Sequence, residues 1–289
     1  MSLAVALRLG RVSNLPTVWS NVLTGAVLAG SAATPATVIA CLLAMSLLYT
    51  AGMFLNDAFD RDIDARQRPQ RPIPSGQVSA RSVFGWGFAL MALALIVLLA
   101  AGYALAGGHG WRAAAGGAAL GAAIVLYDWH HKNNPLSPLL MGLCRLLVYV
   151  TAGVAVAGSV AAPLAAAGAM LLCYLIGLTY AAKQEGFARV RSWWPLALLA
   201  VPALYTLPDA HSSLTALACY AAFVAWTLFA VSHLMRTPAN VPRAVVCLIA
   251  GICLLDAVLI AAQGQSTLAW LATFGFALTL ALQRWVKGT

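Results

Sequence analysis

The sequence predicts an all-α integral membrane protein, a bundle of nine to ten transmembrane helices forming one domain over residues 1–289. Three observations predict it. The chain is 62% hydrophobic and only 9% charged, where a globular domain carries charge on about a quarter of its residues. Ten apolar stretches fall at 16–31, 36–56, 82–106, 113–128, 138–158, 162–182, 193–208, 213–234, 243–262 and 267–285, near the roughly 20 residues that a helix needs to cross a bilayer. Finally, with the N-terminus in the cytoplasm, fifteen of the seventeen Lys and Arg residues fall on inside segments, as the positive-inside bias requires. The exceptions are Arg112 in an outside loop and Arg145 within a helix. Runs this long, unbroken by polar alternation, read as helices rather than barrel strands. The net charge of +9 follows from this topology and from attraction to anionic lipid. Nothing in it calls for a nucleic-acid partner.

Taken in order, Arg8 and Arg11 precede the first stretch, which carries Asn21 and reads as a retained span rather than a cleaved leader. The second runs uncharged into an acidic segment. The third and fourth are joined by a short connection, Gly107–Arg112, and Tyr127, Asp128, His130, His131 and Lys132 close the fourth on the inner side. Asp128 and Lys132 stand at i, i+4 and can pair; the two histidines read as interfacial polar residues. Arg145 lies deep in the fifth stretch, where an arginine usually faces the bundle interior. The sixth leads to Lys183 and Glu185. The seventh holds Pro195 and Pro202 and is the weakest helix of the set. Asp256 sits in the ninth, mid-membrane, and must be paired or protonated. His233, Trp129, Trp193 and Trp194 read as interfacial belt residues. The six cysteines all fall within apolar stretches, as reduced packing residues.

The candidate site is Asn56–Gly76, NDAFDRDIDARQRPQRPIPSG. Four of the chain's eight acidic residues, Asp57, Asp60, Asp62 and Asp64, lie here, followed by Arg66, Arg68 and Arg71. On a continuing helix Asp57, Asp60 and Asp64 share a face with Asn56 at its edge, and Asp62 points elsewhere. Carboxylates crowded on one face near the membrane repel unless a cation neutralises them. All-oxygen ligands suit Mg²⁺, which keeps waters and shares its remaining positions with substrate phosphates. Arg68 and Arg71 are placed to hold phosphate oxygens. The expected ligand is therefore a diphosphate bridged through Mg²⁺ on Asp57, Asp60 and Asp64, with Pro72–Gly76 as an extended, proline-stiffened turn behind it.

Asn56-Asp57-x-x-Asp60-x-x-x-Asp64 with Arg71-Pro72-Ile73-Pro74-Ser75-Gly76 resembles the first aspartate-rich motif of the UbiA superfamily of intramembrane prenyltransferases. The opening LRLGRVSNLPTVWSN and the Tyr127–Lys132 segment extend the likeness, and YDWHHK, MGLCR and GLTYAAKQE resemble its EboC branch. The resemblance implies a helical bundle in which Mg²⁺ binds a prenyl diphosphate and an allylic carbocation alkylates an aromatic or other lipophilic acceptor. It implies a diphosphate contact for Lys132. Asn21 and Arg145 are candidate contacts for the diphosphate or the acceptor.

The chain departs from the family pattern after the sixth stretch. A second aspartate-rich motif belongs there, and Tyr180–Glu185 contains no aspartate. Aligning Gly52 with Gly177 sets Asp60 opposite Glu185, so Glu185 is expected to stand in for one carboxylate beside Asp60 and Asp64 in catalysis. Lys183 and Arg189 would replace a metal by direct charge. The rival reading is a prenyl-diphosphate or prenyl-lipid binding or transport protein of the same fold. The expected location is the inner (plasma) membrane, with both termini and the site on the cytoplasmic side.

Overall fold

The computed structural model describes residues 1–132, 134–185, 190 and 192–286, and among these there is no strand. The α-helices are α1 (Leu3–Leu9), α2 (Leu15–Leu28), α3 (Pro35–Phe59), α4 (Arg61–Gln67), α5 (Ala80–Ala104), α6 (Arg112–His130), α7 (Ser137–Ala157), α8 (Ala162–Ala182), α9 (Val201–Thr206), α10 (Leu214–Leu234), α11 (Val241–Ala262) and α12 (Ser266–Leu282). Their starts follow from local chemistry. Thr34, Ser79, Ser213 and Asn240 each cap a helix by accepting from a backbone N–H three residues on, and Pro35 occupies a first turn where its missing N–H costs nothing.

Among the described residues six helices, α3, α5, α7, α8, α10 and α11, are long and apolar enough to cross a membrane. α12 is apolar but shorter, and α2 has 14 residues. The expected count of nine to ten uniform spans is therefore met only in part. The most apolar window of α11 is 89% buried against 22% for those of α5 and α10, so α11 is the central post and the other two form the outer wall.

Contact pairs give the helix directions. Arg145 meets Asn21 while Tyr149 meets Gly25, so α7 runs parallel to α2. Ser20 meets Cys253 while Thr24 meets Asp256, which makes α11 parallel to α2. Gly153 faces Leu164 and Gly142 faces Leu172, so α8 is antiparallel to α7. Trp226 bonds the Cys247 carbonyl and Asn240 bonds that of His233, so α10 is antiparallel to α11. Consequently α8 and α10 run in the same direction, and the segment between them must return along the bundle. It does so without a continuous helix: a 3-10 turn at Trp194–Leu199, α9, and a second at Pro208–His211. Pro195, Pro202 and Pro208 each remove a backbone donor, which is why the seventh stretch breaks.

Small residues let the central helices close up. A Cβ on Gly25 would lie 2.5 Å from the Tyr149 carbonyl oxygen, so the α2–α7 contact is set by bare backbone. All six cysteines are free.

Candidate diphosphate site

α3 ends at Phe59, and Asp60 serves both as its C-cap and as the N-cap of α4. The hydrogen-bond ladder continues through the joint, Asp60 N–H to Asn56 and Asp64 N–H to Asp60, so the expected face survives in part. Asp57, Asp60 and Asp64 are 7%, 5% and 4% exposed, whereas Asp62 points outward beside Arg61. Pro72–Gly76 is not extended as expected. Ser75 N–H bonds the Arg71 carbonyl, Gly76 that of Ile73 and Gln77 that of Pro72, winding it into tight turns closed by Gly76 at φ 76°. Ile73 and Val78 pack with Val5, Leu9, Phe54 and Val83, which clamps this loop and α1 onto the end of α3.

That clamp brings Arg11 and Arg71 to the aspartates, and the segment ending α6 adds Lys132. Arg71 Nη1 bridges Asp64 Oδ2 at 2.6 Å and Asp57 Oδ1 at 3.3 Å. Arg11 Nη2 donates to the same Asp57 oxygen at 2.9 Å and to Asn56 Oδ1 at 3.3 Å. Arg11 has a left-handed backbone, φ 42°, unique among the described non-glycine residues, and its carbonyl accepts from the Tyr49 hydroxyl. Lys132 Nζ lies 3.0 Å from Asp60 Oδ2, with His131 Nε2 at 3.5 Å from the same atom. Burial pushes the Asp60 carboxyl up, but His131 and Lys132 outweigh it and hold it below the ordinary carboxylate value.

Sequence reasoning missed Arg11, taken as a topology anchor, and His131, taken as interfacial. The i, i+4 pairing of Asp128 with Lys132 is also corrected: Lys132 turns to Asp60, and Asp128 Oδ1 accepts from Asn56 Nδ2 at 3.1 Å. The expected ligand set of Asp57, Asp60 and Asp64 does not converge on one point. Among the described residues no three Asp, Glu, His or Cys side chains are spaced to hold a metal by themselves. Arg71 occupies the gap between Asp57 and Asp64, and Asp60 faces the end of α6.

Of the far-side residues, Glu185 reaches the Asn56–Gly76 segment, through Arg68 rather than through an aspartate. Glu185 pairs with Arg68 at 3.7 Å, both substantially exposed, Lys183 donates to the Asn134 carbonyl, and Arg189 lies outside the described residues. Deeper in the bundle, Asn21 links two groups: its Oδ1 accepts from Arg145 Nη1 at 3.0 Å and its Nδ2 donates to Asp256 at 2.8 Å. Ser20, Thr24 and Tyr149 also donate to Asp256, which answers its mid-membrane cost. Arg145 lies 5.7 Å above the Tyr49 ring, and Tyr49 in turn touches Arg11, so polar groups run from the rim to the core. Trp129, Trp193 and Trp194 are exposed as a belt requires, but His233 is buried, with no hydrogen-bond partner on either ring nitrogen, edge-on to Phe229.

Comparison with known proteins follows this geometry. The digeranylgeranylglyceryl phosphate synthase of Natronomonas pharaonis is 34% identical over 139 residues, covering 48% of this chain and 47% of that protein. That of Methanoregula boonei is 51% identical over 57 residues, 19% of this chain and 20% of that protein. The chain thus spans about half or less of the curated relatives it matches. A UbiA homolog from Archaeoglobus fulgidus bound to GPP and Mg²⁺ superposes with a TM-score of 0.62 at 16% identity, over 91% of this chain and 99% of that one, and shares the fold. The UbiA prenyltransferase family matches residues 16–244, and with most of the chain so covered, this multi-pass membrane protein belongs to that family.

Proposed function

We propose that the protein transfers a prenyl group from a prenyl diphosphate to a lipophilic acceptor within the membrane, in a Mg²⁺-dependent reaction. The observation that carries this is the buried set of Asp57, Asp60 and Asp64, each pledging one oxygen to Arg11, Arg71 or Lys132 at the mouth of an apolar bundle. The donors are oxygens of the kind Mg²⁺ takes, but no three converge among the described residues, so water and the diphosphate would fill most of its positions. GPP and Mg²⁺ in the Archaeoglobus fulgidus homolog support the same pairing. Bound there, Mg²⁺ supplies charge stabilisation for the departing diphosphate. Arg11, Arg71 and Lys132 stabilise the same developing charge by direct hydrogen bonds. The apolar walls exclude water from the allylic cation.

The proposed topology has ten crossings, the seventh through the broken segment between α8 and α10, with both termini and the site cytoplasmic in the inner membrane. The inward clustering of basic residues supports it. The pairing of Glu185 with Arg68, which commits its carboxylate to a guanidinium rather than to a metal, supports the rival binding or transport role. Purified protein incubated with Mg²⁺ and prenyl diphosphates of several lengths, with and without candidate acceptors, separates the two. Diphosphate release lost in Asp60→Ala and Asp64→Ala supports transfer; aspartate-dependent binding without release supports the rival. No Mg²⁺-dependent binding rejects both.

A further inference from the structure

Arg145, deep in α7, is a cation without an anion. Among the described residues no carboxylate lies within ion-pair distance of it. The acid within its electrostatic reach, Asp256, is already met by Ser20, Asn21, Thr24 and Tyr149. Asn21 stands between the two, accepting from Arg145 and donating to Asp256. Among the described residues Asn21 alone accepts from this guanidinium, which carries a planar fork of donors. Asn21 and Asp256 are wholly buried, but Arg145 is only half-buried. It touches α2 at Asn21 and α3 at Tyr49 and lies near Cys253 of α11, so the surface it keeps faces the space that these helices enclose with α7.

An unpaired guanidinium there carries two penalties. A charge inside a bundle is costly without a partner. It also opposes, at low dielectric, the allylic cation that prenyl transfer forms in the same bundle. A bound anion removes both. The diphosphate is not that anion. Tyr49 lies about 10 Å along α3 from Asn56, and its side chain fills the interval. Arg145 sits 5.7 Å above the Tyr49 ring, and the Tyr49 hydroxyl donates to the Arg11 carbonyl at 3.3 Å. A diphosphate held at the mouth by Arg11, Arg71 and Lys132 is therefore set apart from Arg145 by Tyr49.

We propose that Arg145 determines acceptor specificity, and that the acceptor carries an acidic oxygen group, a carboxylate or a phosphate, which pairs with the open edge of its guanidinium. Both groups match the guanidinium fork with two oxygens, and Asn21 and Tyr49 hold that fork in place. The inference rests on the prenyl-transfer reading and names the class of its second substrate.

Binding, rather than turnover, tests it. Decyl phosphate with decanol, and 4-decylbenzoate with its methyl ester, are pairs that differ in the charge of one end. Each is titrated into purified protein in zwitterionic nanodiscs with Mg²⁺ and a non-ionisable prenyl thiolodiphosphate, with empty nanodiscs as the blank. The wild type is expected to bind at least one acid roughly tenfold or more tightly than its neutral counterpart, the size of one charge-assisted pair. Arg145→Gln should abolish that preference and still bind the thiolodiphosphate. Arg145→Lys, which keeps the charge but not the fork, should retain part of it. A wild type that prefers neither acid overturns the proposal without any variant. So does an undiminished preference in either variant, and so does a folded Arg145→Gln protein whose loss falls on the thiolodiphosphate instead. A wild type that binds no thiolodiphosphate refutes the prenyl-diphosphate reading first, and this inference falls with it.

Discussion

Arg11 and Asp57, 46 positions apart in sequence, meet at 2.9 Å across the inner mouth of the bundle. The contact ties the chain's opening segment to the aspartate-bearing helix, and Arg11 adopts a left-handed backbone to make it. Removing one partner of a buried ion pair costs about 3–5 kcal/mol; because Arg71 also serves Asp57, Arg11→Ala is expected at or below the lower end, roughly 2–3 kcal/mol. Arg11→Gly relieves the backbone but loses the charge, so it should match Arg11→Ala in prenyl-diphosphate affinity while melting higher. Isothermal titration and thermal unfolding in detergent read the two effects separately.

Asp60 carries a pH signature. Its folded-state carboxyl is held below the ordinary value of about 3.9. A depressed carboxylate adds stability that is present above the unfolded value and lost as pH falls through the folded one. Melting temperature followed from pH 6 downward should therefore fall more steeply in the wild type than in Asp60→Asn, the curves converging at the acid end. Parallel curves would show that Asp60 adds nothing to acid sensitivity.

At the core, four side chains converge on Asp256. Asp256→Ala strands the Asn21 amide and the Tyr149 hydroxyl, at about 1–3 kcal/mol for each donor left buried and unpaired, while Ser20 and Thr24 fall back on the Thr17 and Ser20 carbonyls. Tyr149→Phe removes a single donor and should cost roughly 1 kcal/mol. The ratio of the two losses in a denaturation series tests whether the cluster acts as a unit.

Gly25→Ala should be among the most damaging single methyl additions. Its Cβ would sit 2.5 Å from the Tyr149 carbonyl oxygen and 3.0 Å from Ala152 Cβ, so α2 and α7 must separate, at about 1–3 kcal/mol or more for overpacking. Gly85→Ala, where nothing lies within 4 Å, is the matched control and should leave the melting temperature unchanged.

Glu185→Gln tests the far side. The Arg68–Glu185 pair is solvated, and such pairs contribute about 0–1 kcal/mol. The substitution should leave both stability and Mn²⁺ stoichiometry at wild-type values. A lost metal ion would return Glu185 to the ligand set.

The apolar periods made the helices legible in sequence, and crowding of aspartate in an acid-poor chain made the inner mouth legible. What escaped were pairings that depend on how remote segments meet. Arg11 looked like any positive-inside residue, because only the packing of Val5 and Leu9 under Ile73 carries it to Asp57. Lys132 and Asp128 stood at a spacing that favours a pair, but α6 ends against α3, and Asn56 and Asp60 are the better partners there. The three prolines of 195–208 signalled a weak helix but not how the chain would cross without one.

Arg71 between Asp57 and Asp64 has a thermodynamic consequence. It is a resident counter-ion, and an arriving divalent cation competes with it for the same oxygens. Whichever carboxylate a metal took would release a guanidinium edge, and that edge would then be free for a phosphate. On the proposed function, metal and diphosphate binding would be linked as an exchange of partners, and by reciprocity each would tighten the other by the same factor.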